Sequence, residues 1–182
     1  DGVLRKTPLA KRVGDRQVPG FPLRISSLFL GTEPVIDLES SSVGLGNYAV
    51  PTEPGRSDSR SGNTKPGQSQ AFEQCAWVNF SPLGSIGKYF YTVTASNVLR
   101  TAANQSSKDE AVDFRRFAGM IVLVGFAALG EERDQKLTPQ GLMPGVEFQA
   151  NVIRNLLEKN FLVHFSPGAH RMLFAVFGIL LS

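Results

Sequence analysis

The chain has 182 residues, enough for one ordinary domain with its own core. Its 42% hydrophobic and 19% charged side chains exclude a disordered segment, and a net charge of +3, with no base-reading motif or dense basic stripe, argues against a nucleic-acid partner. The single cysteine, Cys75, excludes an intrachain disulfide and a cysteine-closed zinc site, and it leaves the redox compartment open.

Residues 1–20 set Arg5, Lys6, Lys11, Arg12 and Arg16 among turn residues, with Val3 and Leu9 as anchors. They read as an extended, strand-like entry with one solvated face. "FPLRISSLFLG" predicts a short helix: Pro22 suits the first turn, Leu23, Ser27 and Leu30 share a face, and Gly31 suits the stop. Weak strands are expected around Val35 and Tyr48. From Thr52 to Gln70 there is no large apolar side chain, so the segment cannot offset the entropy of its own ordering. It predicts a mobile surface loop, with 52–74 as an insertion. "CAWVNFSP" and "KYFYTVTAS" read as two further strands, rich in aromatic and β-branched residues. Ser96 is placed to cap a short helix through "NVLRTAA", and "NQSSKDEAVD" reads as polar surface.

"MIVLV", residues 120–124, is a continuous apolar run that predicts a central strand covered on both faces. A helix over 145–159 follows a loop that contains a Thr-Pro turn. At 100° per residue Ala150, Ile153, Leu157 and Phe161 fall in one arc, while Asn151, Arg154, Asn155 and Glu158 lie opposite. Phe148 and Val152 form a shoulder pair, Pro144 fits the helix start and Asn160 a left-handed stop. The fold class is therefore α/β, a mixed sheet with a central buried strand and packed helices, in an incomplete domain. "MLFAVFGILLS" is apolar and uncharged but shorter than the twenty or so residues that span a bilayer. We expect residues 169–182 to be the start of a transmembrane helix.

Catalytic motifs are missing. "GFAALGE" puts Glu131 where a phosphate loop needs lysine, no dinucleotide fingerprint follows the strand, and no nucleophile elbow is present. No cofactor is implied. His164 and His170 lie six apart without companion ligands and read as interfacial residues. Glu131, Glu132 and Asp134 form an acidic loop able to hold a cation or polar ligand, though such runs are more often solvated. Gln149 falls within the apolar arc, so its amide must bond a buried backbone group or reach a ligand. Residue by residue, this describes an α/β domain attached to a membrane. Two alternatives stay open: a membrane-anchored hydrolytic enzyme using Glu131, Asp134 and Glu147, and a structural spacer.

Several stretches together resemble one family. "DGVLRKTPL" is similar to an Asp-Gly-x-x-Arg-x-x-Pro-Leu segment, "AVPTEPGR" to an Ile-Pro-x-x-x-x-Gly turn, "WVNF" to an Ile-Asn-Phe strand, and "FYTVTASNVL" to a Phe-x-x-x-Ser-x-x-Asp-Val-Leu segment. Residues 120–157 are similar to an Ile-Val-Leu-Ile-Gly strand, an Asp before Thr-Pro, and a Met-Pro-Gly-Val-Glu-x-His-Ala-Asn helix start. The pattern is that of the second type of CHASE domain, the extracellular sensory domain associated with cyclases and histidine kinases. The resemblance implies a ligand-sensing, non-enzymatic domain of a bacterial transmembrane receptor at the cell membrane, its sensor portion extracytoplasmic. A cytoplasmic output module such as an adenylate cyclase or histidine kinase would receive the signal.

It further implies that residues 1–168 are the carboxyl half of the sensor. The candidate ligand-binding positions are Asp134, Thr138, Glu147, Gln149 and Asn151. The implied partners are a small-molecule or protein ligand of unknown identity, the membrane, and a second copy of the receptor. Two positions depart from the pattern: Gln149 stands where the family has His, and Asn97 where it has Asp. Gln149 keeps the hydrogen bonding but cannot titrate near neutral pH.

Overall fold

Leu9 and Ala10 are neighbours in a strand, yet both are buried. A bulge explains it: β1 (Lys6–Val13) pairs with β7 (Phe72–Trp77) in a register that shifts between Pro8 and Ala10, so Leu9 is an extra residue turned inward. The Leu9 carbonyl, freed from the ladder, accepts from the Gly20 amide at 2.6 Å. β2 (Arg16–Pro19) and β6 (Glu53–Arg56) complete an antiparallel sheet in the order β2-β1-β7-β6. The computed structural model describes residues 3–37, 40–56, 72–80, 89–107, 110–126, 134–163 and 167–180.

α1 (Phe21–Leu30) has Pro22 in its first turn and ends at Gly31 in the left-handed conformation, φ 64°, as its sequence predicts. A second antiparallel sheet joins β3 (Pro34–Ile36), β4 (Ser42–Leu45) and β5 (Tyr48–Pro51). α2 (Ala95–Ala102) and a 3-10 helix (Phe114–Phe117) follow. Next come the hairpin β8 (Gln135–Thr138) and β9 (Gly141–Pro144), then α3 (Gly145–Glu158) and α4 (Pro167–Leu180). α1 packs on α3 and on β1. One core joins Leu9, Leu23, Val43, Val50, Val152 and Leu156 across both sheets and both helices. The class is α/β.

Particular expectations are corrected. The described strand pairs are antiparallel, not mixed, and β1 and β7 hold the centre of the main sheet. Residues 120–126 form no strand: Val122 is 57% and Val124 90% exposed, while Ile121 and Leu123 are half-buried, so at least one face of this apolar run is open. Residues 89–94 are not a strand either, since Tyr89 and Tyr91 lie beneath the guanidinium groups of Arg154 and Arg116 instead of beside another strand. α2 is capped by Thr94, whose hydroxyl accepts from the Asn97 amide at 3.3 Å, and not by Ser96. Glu53–Arg56 and residues 72–74 are paired in the sheet, which shortens the expected insertion; residues 57–71 lie outside the described residues.

On α3 and just after it the expected Ile153 and Phe161 are buried, and so is the shoulder pair Phe148 and Val152. The buried face extends to Asn151, Asn155 and Leu156, however, whereas Ala150 and Leu157 are only half-buried. The left-handed stop is Lys159, φ 57°, and not Asn160. Met172, Phe174, Val176 and Phe177 of α4 are exposed. Among the described residues no helix is long and apolar enough to cross a membrane.

Candidate functional site

The amino end of α3 is assembled by the β8–β9 hairpin. Its tight turn is held by Thr138, whose hydroxyl donates to the Gly141 carbonyl at 2.8 Å and accepts from the Gln140 amide at 3.2 Å. Gly141 has φ 104°, a conformation open to glycine and strained for other residues. Pro144 then leads into α3 without any side-chain cap. The Asp134 carboxylate adds to the negative charge that Glu147 brings to the first turn, lying against Gly145 so closely that a side chain there would strike it. Lys136 stands 4.0 Å from the same carboxylate.

Further along, Asn151 is fully buried and donates to the Glu147 carbonyl at 3.0 Å and to Met143 Sδ at 3.8 Å. Glu147 is partly buried, and loss of water around it holds its carboxyl above the usual range. Gln149 also lies partly buried. Its Oε1 is shut off from water without a hydrogen-bond partner among the described residues. A buried acceptor of this kind is costly unless something outside the described residues donates to it.

Of the five sequence-predicted positions, Asp134 and Glu147 therefore mark the helix start, and Thr138 and Asn151 are bonded within the fold. Gln149 Oε1 is buried and lacks a partner among the described residues. Glu131 and Glu132 lie outside the described residues, as does His164, and the side chain of His170 is likewise not described. Among the described residues no group of three or more His, Cys, Asp or Glu could hold a metal ion.

The sequence missed a polar clamp. Asn155, fully buried, accepts from the Asn79 amide at 2.8 Å and donates to the Asn79 carbonyl at 3.0 Å. Its side chain thus replaces a strand neighbour for the segment leaving β7. Asn79 in turn donates from Nδ2 to Asn160 Oδ1 at 3.0 Å. The available signal was the i, i+4 pair Asn151 and Asn155 beside the apolar i, i+4, i+8 row Phe148, Val152 and Leu156.

The raised Glu147 carboxyl gives a pH prediction. The folded state holds this proton more tightly than the unfolded chain, so stability falls as pH rises from the unfolded value, about 4.3, through the folded one. Glu147→Gln removes that fall. Wild type and variant should match in acid, and the variant should gain relative stability up to neutral pH, measured by urea melts at each pH. A constant difference across the range would contradict the burial of Glu147.

A model of the CHASE2 domain family matches residues 1–182. No curated protein and no solved structure gives a significant match.

Proposed function

The chain belongs to the CHASE2 domain family, whose members are extracellular sensory domains, and from that membership we propose that it senses a ligand for a bacterial membrane receptor. The match over residues 1–182 carries this reading. In it, the domain lies outside the cell membrane and passes its signal to an intracellular output module such as an adenylate cyclase or histidine kinase. The receptor works as a homo-oligomer. CHASE2 domains are sensory and not catalytic, so the hydrolytic alternative has no support from the family.

The ligand engages the amino end of α3. Gln149 offers an unsatisfied acceptor, and Glu147 a partly desolvated carboxyl one helical turn from Asn151. Asp134, Thr138 and Asn151 position that end of the helix. This chemistry suits a ligand with hydrogen-bond donors, either a small polar molecule or a protein surface.

The test is output from membranes carrying the receptor, compared between wild type, Glu147→Gln, Gln149→Ala and the exposed control Arg12→Ala. The two site variants should change basal or stimulated output several-fold while the domain's melting temperature moves little, and the control should match wild type. Output identical in all four would overturn the assignment of sensing to this end of α3.

A further inference from the structure

The opposite end of α3 holds a second concavity with its own chemistry. A groove of about 310 Å³ opens between the end of α1, the β4–β5 turn and the end of α3. That is at the small end of the roughly 300–1,000 Å³ of ligand pockets. Leu45, Leu156 and Leu157 give its lining an apolar part, and Thr32, Tyr48 and Lys159 a polar one. Lys159 carries the only charge in that lining among the described residues.

Three observations mark this as more than a surface dent. Thr32 Oγ1 is buried without a hydrogen-bond partner among the described residues. Lys159 occupies the left-handed stop of α3, φ 57°, a place where glycine is the unstrained choice. Its ammonium sits 3.4 Å from Asn47 Oδ1 and 5.6 Å from the Tyr48 ring centre, and no carboxylate pairs with it among the described residues. A helix carboxyl end ordinarily disfavours an anion. Here its field is blunted, because Asn155 O accepts from the Asn160 amide at 2.9 Å and Lys159 O accepts from the Tyr48 hydroxyl at 3.4 Å.

We propose that this groove is a binding site for a small organic carboxylate, with Lys159 pairing the carboxylate, Thr32 donating to it, and the leucines taking the apolar body. It stands apart from the sensing end: Gln149 lies in the second turn of α3 and Lys159 at its stop, about 15 Å apart along the helix at ~1.5 Å per residue. Binding here does not depend on the sensor reading, and the sensor reading does not depend on it.

The experiment is an NMR titration of the 182-residue chain with millimolar benzoate, and with benzamide as its uncharged counterpart. Benzoate should give saturable shifts at Thr32, Asn47 and Lys159, and benzamide none there. Lys159→Gly relieves the left-handed strain, so the fold should persist with a melting temperature close to wild type. It should weaken benzoate at least about tenfold through loss of a charge-assisted hydrogen bond. Thr32→Val keeps the side-chain shape and should also weaken it. The proposal fails if benzoate gives no saturable shift in the groove, if benzamide binds equally well, or if Lys159→Gly binds benzoate like wild type.

Discussion

Asn155→Leu should lower the stability of the domain by roughly 2–5 kcal/mol, with a reduced urea midpoint and little change in slope. The amide of Asn155 is fully buried and both of its ends are used, Oδ1 on the Asn79 amide and Nδ2 on the Asn79 carbonyl. Leucine is close in size but satisfies neither, leaving one backbone donor and one backbone acceptor unpaired, at about 1–3 kcal/mol each. Truncation of the exposed Asn160 side chain, whose Oδ1 accepts from the Asn79 side chain and not from its backbone, should cost far less. Equal losses for the two would show that the clamp on the Asn79 backbone is not what anchors this segment.

Leu156→Ala should cost about 2–5 kcal/mol, since Leu156 is 1% exposed within the core shared by α3 and both sheets and its truncation leaves a cavity. Leu157→Ala, at a half-buried position beside it, should cost clearly less. The order of the two decides which face of α3 is turned inward. A helical wheel that weights apolar residues alone centres the face on Ile153 and Leu157 and would predict the reverse.

That reversal shows what was legible in the chain. The ends of α1 were plain because Pro22 and Gly31 act through local backbone preferences, which need no partner to express themselves. The existence of α3 was plain from its periodicity. Its rotation was not, because Asn151 and Asn155 count as surface residues on any polarity scale, yet both are buried with hydrogen-bond partners.

Strands failed where pairing depends on a distant neighbour. "MIVLV" has the composition of a central strand, but among the described residues no strand pairs with residues 120–124. In contrast, Gln135–Thr138 and Gly141–Pro144 lack strand composition and pair through a tight turn held by Thr138. At the candidate site the acids and Gln149 could be singled out from sequence, because their chemistry is unusual for a helix start. The bonding of Thr138 and Asn151 inside the fold could not, since it depends on Gly141, Met143 and Glu147 in three dimensions. The groove at Lys159 was illegible for the same reason: its walls come from α1, the β4–β5 turn and α3.

The extracellular placement of a sensory domain is tested most directly by labelling intact cells that carry the protein with a membrane-impermeant maleimide. Asp15, exposed in the turn between β1 and β2, is the site for a reporter cysteine. Wild type is its own control, because Cys75 is buried and burial, with Glu73 nearby, pushes its thiol up to about 11, far from the reactive thiolate form. The account predicts that the labelling Asp15→Cys adds to the wild-type level is as great in intact cells as after lysis. Labelling of Asp15→Cys only after lysis would place the domain inside the cell and contradict it.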